Sequence, residues 1–348
     1  MKRTNLFMAA AFVFLLSSPA TLIADHHKTP DLSGTYDIAT LTPLERPKEF
    51  ADSLYLTREL AEKIQAENAK RLTDGSQLSD PDRTAPPDGG DGSAGAAGNV
   101  GGYNTFWIDA GDSVNLVDGK FRTSILSSPA DGRYPKMTPA GQQRLMKRFS
   151  SFERDNQGKA WWVKRGDGAG PYDNMEQRPL AERCLLGFGS TGGPPMLPVL
   201  YNNLKRIVQT EYHVMILVEM VHDARIIRLN SEHPPADIKR WLGDSIGWWE
   251  GDTLVVDTTN FHPDATFRAT SENVRIVERF RRLDDGSLHY SFVVEDPDSW
   301  EESLGGAYTW PLTDGKVYEY ACHESNYALG NIMRGARLLE QDVMQGSE

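Results

Sequence analysis

The chain has 348 residues, of which 25% are charged, and it carries a formal net charge of −12. This length is sufficient for one large domain with additions or for two modest domains, each with a buried core. The acidic balance argues against nucleic acid as a partner, because nucleic-acid-binding proteins present a basic face to the phosphate backbone.

The first 24 residues are predicted to be a signal peptide. Two basic residues start the chain, and an apolar run from Leu6 to Leu16 follows. A run of this length is typical of a signal-peptide core, whereas a membrane anchor needs about 20 apolar residues. Ser18, Ala20 and Ala24 provide the small residues that suit a signal peptidase. We therefore expect a periplasmic or secreted protein that has no stable membrane span.

Residues 25–83 are predicted to form an N-terminal extension that contains one helix. A strand is expected near Asp31–Tyr36, and Thr57 then caps a polar helix over about Arg58–Leu72. In the next segment, residues 84–104, Gly, Pro and Ala dominate and little can be buried. This composition predicts a flexible linker, and it leaves open how far the linker is ordered.

The rest of the chain, residues 105–345, is predicted to be one β-rich domain with peripheral helices. It begins with a hairpin in which residues 106–109 and 120–126 flank a turn at Asp118–Gly119. A helix follows to about Asp155, because Thr138 provides a cap and Pro139 suits the first helical position.

After about residue 206, short strands alternate with tight turns. The turn at Gly251 joins two runs of β-branched and aromatic residues, as a hairpin requires. The predicted strands are Arg206–Thr210, His213–Met220, Ala224–Leu229, Trp248–Thr259 as a hairpin, Val274–Leu283, Leu288–Glu295, and a last pair formed by Tyr308–Trp310 and Lys316–Cys322. This pattern predicts a mainly β fold, either an antiparallel β-barrel or a sandwich, with a last helix over about Leu329–Gln341.

The chain has two cysteines, Cys184 and Cys322. In an exported protein this even count favours a single disulfide, and two unpaired buried thiols are the alternative. The bridge would join the segment that precedes the barrel to the strand that is predicted to be the last one.

Strand alternation predicts that some carboxylates point into the interior. Glu278 shares a face with Ile276 and Phe280, and Asp257 shares a face with Val255. Burial raises the pKa of a carboxylic acid and so suits it to acid/base chemistry. The alternative is that these carboxylates form structural ion pairs with arginines.

The densest candidate cluster lies between Glu219 and Arg225. His222 is suited to act as a general base there, with Glu219 or Asp223 fixing its tautomer. Asp223 and Arg225 lie two residues apart on one face and can equally form an ion pair. A histidine at a strand end is also commonly a structural residue.

A second candidate cluster follows the predicted disulfide, where His323 and Glu324 would form another acid/base pair on a rigid backbone. Aromatic residues in the β region either line a ligand cavity or form core. The candidate ligand-binding residues are Arg225, Trp248, Asp257, Tyr320 and Asn326.

Neither a metal nor a cofactor is predicted. The sequence contains no His or Cys pair with metal-ligand spacing, although His222, His323 and a carboxylate together are a conceivable set. It also has no G-x-S-x-G nucleophile motif, and its Gly-rich segments lack a phosphate-loop lysine.

Several stretches together resemble a large family of exported bacterial proteins that has no established activity. These stretches are Glu182–Leu185, Pro194–Pro198, Tyr201–Asn203, Glu219–Arg225, Gly243–Val256, Glu278–Phe280 and Tyr318–Glu324. The resemblance covers most of residues 30–340 and supplies no catalytic residues. A likeness of fold alone points to lipocalin-type barrels, in which a closed antiparallel sheet holds one small apolar ligand.

Two function classes remain open. The first is an exported enzyme for a small molecule, a hydrolase, lyase or isomerase with an acid/base site in the barrel cavity. The second is a periplasmic, lipocalin-like binding protein for an apolar ligand, without catalysis. Convergence of the polar clusters at the base of one cavity favours the enzyme, whereas carboxylates that are each matched to an arginine favour the binding protein.

Overall fold

The computed structural model describes residues 29–77, 82, 84, 108–149, 159–164, 170–187, 192–324 and 326–346. The predicted signal peptide and most of the predicted linker lie outside these residues. So do the first two residues of the predicted 106–126 hairpin and the predicted end of the second helix.

The described residues form three α-helices and thirteen strands. The strands are β1 (Gly34–Asp37), β2 (Tyr55–Leu56), β3 (Leu116–Val117), β4 (Lys120–Arg122), β5 (Leu126–Ser128), β6 (Leu204–Gln209), β7 (His213–Val218), β8 (Ala224–Leu229), β9 (Asp244–Glu250), β10 (Thr253–Thr259), β11 (Arg275–Arg282), β12 (Leu288–Glu295) and β13 (Leu304–Trp310). The helices are α1 (Arg58–Gly75), α2 (Pro139–Phe149) and α3 (Tyr327–Met344). Short 3-10 helices lie at Lys48–Phe50, Trp161–Lys164, Met175–Gln177, Met220–His222, Pro263–Ala265 and Phe267–Ala269.

Ten strands form one curled, half-barrel sheet in the order β1-β6-β7-β8-β9-β10-β11-β12-β13-β5. All neighbours in this sheet are antiparallel except β8 and β9, which run parallel because residues 230–243 cross over between them. A small sheet, β2-β4-β3, accompanies it. The predicted mainly β fold class is therefore confirmed. No helix of the described residues is long and apolar enough to cross a bilayer.

Local signals in the sequence placed several turns and helix starts correctly. The turn at Asp118–Gly119 is one of them, but β4 pairs there with β3 rather than with the predicted strand, and Leu126 belongs to β5 of the large sheet. The β9–β10 turn has Gly251 at φ +64°, a conformation that glycine adopts without strain. In α1 the Leu60 N–H donates to Thr57 Oγ1 at 3.3 Å, and in α2 the Gly141 N–H donates to Thr138 Oγ1 at 3.1 Å. These bonds satisfy amides that a helix leaves without partners at its start.

The predicted last hairpin is wrong. β13 pairs with β12 on one side and with β5 on the other, so neither edge is left for Lys316–Cys322, which forms no strand. The chain instead crosses to β1, where Asp37 N–H donates to Pro311 O at 3.0 Å and Thr313 N–H donates to Thr35 O at 2.9 Å.

The core is filled by side chains of the curled sheet and by a loop that enters it. Tyr290, Tyr308 and Trp310 are fully buried and pack against one another. The loop residue Met196 is also fully buried; its N–H donates to Tyr290 Oη at 2.9 Å, and Tyr308 Oη donates to its carbonyl at 2.8 Å. These aromatic side chains are thus core residues, one of the two interpretations that the sequence left open.

Candidate functional site

Cys184 and Cys322 form a disulfide, as predicted, with their Cα atoms 5.7 Å apart. The two cysteines are separated by 138 residues, and the chain-entropy argument gives at most about 5 kcal/mol for a loop of that length. Because Lys316–Cys322 is not a strand, the bridge joins two non-strand segments rather than tying one to the sheet. A disulfide fits an oxidising compartment outside the cytoplasm.

Residues just before Cys322 contact the predicted cluster between Glu219 and Arg225. Tyr318 N–H donates to Glu219 Oε1 at 3.3 Å, and His222 Nδ1 lies 3.1 Å from the carbonyl oxygen of Tyr320. Because a carbonyl oxygen only accepts, this contact places a hydrogen on Nδ1 of His222. In the neutral tautomer, Nε2 is then the ring atom that can accept a proton.

Next to His222, Asp223 is a partly buried acid. Burial raises the pKa of its carboxyl to about 6, against the smaller opposing effect of His222. Its Oδ2 atom has no hydrogen-bond partner among the described residues, and a Cβ at Gly192 would come within 3.2 Å of it. A carboxyl that titrates near neutral pH suits proton transfer.

A groove of about 450 Å³ lies beside the disulfide, a volume typical of small-molecule sites. Its lining residues are Ala181, Glu182, Cys184, Glu319, Tyr320, Ala321, Cys322, Asn326, Ala328, Leu329 and Ile332. The apolar wall comes from the first turns of α3, through Leu329 and Ile332. Glu182 is bound by Arg178 in a two-bond contact at 2.9 and 3.0 Å, whereas Glu319 is exposed.

Two predicted binding residues, Tyr320 and Asn326, line this groove. Asn326 Nδ2 also lies 3.4 Å from both the Glu182 carbonyl and Cys184 Sγ. His323 and Glu324 are exposed and are not part of the lining. The sequence therefore indicated two lining residues correctly, whereas the predicted acid/base pair of His323 and Glu324 lies outside the lining.

Glu278 and Arg225 lie far from solvent and are paired to each other. Glu278 Oε1 accepts from Arg225 Nη1 at 3.1 Å and from Tyr290 Oη at 2.8 Å, and its Oε2 accepts from Arg225 Nη2. Arg225 also donates to Ser245 Oγ at 3.0 Å and to Thr258 Oγ1 at 2.8 Å. Glu278 points into the interior, as predicted. Its pairing with Arg225 corresponds to the structural ion pair that was the alternative to an acid/base role.

Asp257 and Trp248 lie away from the groove, on the sheet surface. The prediction that Asp257 points inward is wrong: it binds the half-exposed side chain of Arg275 at 3.0 Å. Val255 lies on the same face of β10 as Asp257 and is buried, but it does not belong to the main core cluster. The apolar neighbour Val255 therefore did not show which face of β10 points into the core. Trp248 Nε1 donates to the exposed Glu250 at 3.0 Å.

Sequence reasoning missed a buried lysine at one end of the sheet. Lys205 is fully buried, and burial lowers its pKa to about 7 against the opposing effects of Glu219, Asp37 and Asp109. Burial likewise raises the pKa of Asp37 to about 6. The signal was present, because Lys205 alternates in phase with the core residue Ile207 along β6.

Sequence reasoning also missed a histidine–aspartate pair at the start of β9. His233 Nδ1 lies 2.8 Å from Oδ2 of the buried Asp244, which Arg228 also binds at 2.7 Å. His233 Nε2 is buried and lies 4.0 Å from Asp257. This pair is flanked by charged groups and has no room for a substrate at Nε2, so its evident role is to hold residues 230–243 against the sheet.

Comparison with protein-family models, with curated proteins and with solved structures gave no significant match to this chain. Three features of the structure bear on function, namely the groove beside the disulfide, the neighbouring acid/base residues His222 and Asp223 close to the groove wall, and the pairing of the buried Glu278 with Arg225.

Proposed function

We propose that the protein binds a small molecule in the groove beside the Cys184–Cys322 disulfide. The observation that carries this proposal is a 450 Å³ groove whose floor is fixed by a covalent bridge and whose wall is an apolar helix face. Its size falls within the range of about 300–1,000 Å³ that is usual for small-molecule sites. The pairing of the buried Glu278 with Arg225 favours binding over catalysis in the interior.

The lining indicates the chemistry of the ligand. Leu329, Ile332 and the neighbouring alanines offer apolar contact, so the body of the ligand is apolar. Glu319 is the acidic side chain at the edge that no arginine neutralises within 4.0 Å among the described residues. A ligand with an apolar body and a hydrogen-bond-donating or cationic head group fits this combination.

The test is binding of a neutral hydrophobic fluorophore, N-phenyl-1-naphthylamine, to purified oxidised protein. Ala328→Trp places a large ring at an exposed position of the groove wall and should weaken binding at least tenfold by filling the site. Leu338→Trp, an exposed position of the same helix outside the lining, is the control and should bind like wild type. Equal binding by wild type and both variants would refute the groove as the site.

A second candidate is an acid/base enzyme, a hydrolase, lyase or isomerase, that acts on the molecule held in this groove. Its support is that His222 contacts the groove residue Tyr320 and adjoins Asp223, whose pKa is raised to about 6. Once native mass spectrometry has identified a co-purifying molecule, His222→Asn should abolish its turnover and leave its affinity within a fewfold of wild type. A turnover rate that is unchanged in this variant would remove the enzyme candidate.

We also propose that the protein is exported to the periplasm or secreted, as the resemblance to exported bacterial proteins implies, and that its sheet closes as a lipocalin-like barrel. The disulfide and the apolar start of the chain support export. The hydrogen bonds between β1 and residues 311–313 support closure. N-terminal sequencing of the mature protein tests export, and slow hydrogen exchange of the Asp37 and Thr313 amides tests closure.

A further inference from the structure

The protein has a cluster of basic side chains on its β-sheets, although its net charge is −12. It is formed by Lys120, Arg122, Arg281 and His289, which belong to β4, β11 and β12. We propose that this cluster binds a tetrahedral oxyanion, the phosphate or sulfate group of a small molecule. The site is separate from the groove and does not rest on the function proposed for it.

The two sheets together assemble the cluster. Arg281 and His289 are direct cross-strand partners in the register of β11 with β12. Lys120 and Arg122 are two residues apart on β4, so they share a face of the small sheet. The two sheets are joined where Thr309 Oγ1 of β13 donates to the Leu116 carbonyl of β3 at 2.8 Å.

Tyr55 of β2 holds the two β4 cations on this face. The Lys120 Nζ atom lies 4.8 Å from the Tyr55 ring centroid, and the Arg122 guanidinium carbon lies 5.9 Å from it. Tyr55 is the register partner of Arg122 in the small sheet. The ring therefore orders both cations without neutralising their charge.

Arg122 provides the buried donor of the site. It is 7% exposed, and its Nε is buried with no hydrogen-bond partner among the described residues. Burial is the main cause of the lowered Arg122 pKa, its contact with Tyr55 and the charge of Asp118 oppose this effect, and the buried Arg46 adds a smaller lowering. No carboxylate of the described residues lies within 4.0 Å of either arginine. An oxyanion would supply the negatively charged acceptor that Arg122 Nε lacks.

His289 lies close enough to both arginines and to Asp118 for their charges to act on it. Burial is the main cause of its lowered pKa, Asp118 opposes this effect, and Arg281 and Arg122 lower the pKa further. Asp118 is the acid that faces the cluster, and its carboxylate is largely exposed and 4.0 Å from Arg281. Three permanent cations thus face one solvated carboxylate, which leaves a net positive charge for an anion.

The experiment is isothermal titration of the full oxidised protein with inorganic phosphate, inorganic sulfate and glucose 6-phosphate at low ionic strength. Wild type should bind at least one of them saturably, and Arg281→Gln should weaken that binding at least tenfold. The matched control is Arg279→Gln, which lies two residues away on the same strand face and pairs with Glu250 instead. This variant should stay within about twofold of wild type.

Two further measurements keep the outcome unambiguous. The ring signals of His289 should shift on saturation with the bound anion, which a distant site would not cause. Tighter binding of glucose 6-phosphate than of inorganic phosphate would identify an ester as the source, and the reverse would identify a free anion. No saturable binding, equal weakening by both arginine variants, or an unmoved His289 signal would overturn the proposal.

Discussion

Removing one partner of the Arg225–Glu278 pair should destabilise the protein far more than removing one partner of a similar pair at the surface. The side chains of Arg225 and Glu278 are 2% and 0% exposed. In Glu278→Gln the guanidinium stays in the core, but the charge that balanced it is gone and the amide group of glutamine faces its donors. Breaking a buried ion pair in this way costs about 3–5 kcal/mol.

The matched control is Glu250→Gln, which breaks the Arg279–Glu250 pair. It is also an arginine–glutamate contact within this sheet, but its side chains are 46% and 49% exposed. A solvent-screened pair of this kind contributes little to stability, so Glu250→Gln should change the free energy of unfolding far less than Glu278→Gln. The difference between the two variants therefore isolates the effect of burial on the same chemical pair.

A double variant separates loss of the pair from loss of one partner. Arg225→Met with Glu278→Leu removes both charges, and Ser245 and Thr258 can still bond each other, because their hydroxyl oxygens are 2.9 Å apart. Replacement of a buried pair by apolar residues is commonly neutral or stabilising. The double variant should thus recover most of the stability that Glu278→Gln loses.

The assay is urea unfolding at pH 7 and 25 °C, followed by tryptophan fluorescence and circular dichroism, with coincident transitions required before free energies are compared. The midpoint of Glu278→Gln should fall strongly while the slope stays constant. Similar losses in Glu278→Gln and Glu250→Gln would show that the reasoning from burial is wrong. So would a double variant that is less stable than Glu278→Gln alone.

Three other predictions concern pH and the disulfide. Burial lowers the folded-state pKa of Lys205 to about 7 from 10.5, so the unfolded chain binds more protons than the folded chain between those pH values. The free energy of unfolding should therefore rise with pH across this window, by at most about 5 kcal/mol. Lys205→Met should flatten this rise, as measured by urea titrations from pH 7 to 9.5. The carboxyl of Asp223 has the opposite sign, since its folded-state pKa is raised from 3.8 to about 6; it should reduce stability as pH rises through this range, and a pH profile of Asp223→Asn that keeps the wild-type slope would contradict this assignment. Replacing Cys184 and Cys322 together with alanine should lower the free energy of unfolding by up to about 5 kcal/mol and weaken fluorophore binding in the groove, as measured by unfolding and titration of both proteins; unaltered binding would mean that the bridge does not shape the site.

Part of the candidate site could be predicted because its signals are local. The run from Glu219 to Arg225 and the residues around Cys322 stood out by their density of polar and ionisable groups. The disulfide was indicated by a count of two cysteines in a chain with an export-like start. The contacts of Tyr318 with Glu219 and of Tyr320 with His222, which join the two runs, were not indicated by any local signal. Lys205 was missed because the predicted strand began at Arg206, one residue after it. In β6 the side chains of Lys205 and Ile207 point to the same buried face.

The sequence by itself determined the strands and turns that depend on neighbouring residues, such as the Gly251 turn and the Thr57 cap. Tertiary structure alone decided the pairing of β13 with β5, the parallel β8–β9 pair and the entry of Met196 into the core. The physical reason is that side chains alternate between the two faces of a strand. This alternation shows which residues share a face, but it does not determine which strands pair with it or which face is buried. Those depend on which distant segments compete for the same edge and the same interior volume, and that competition is resolved only when the whole chain packs.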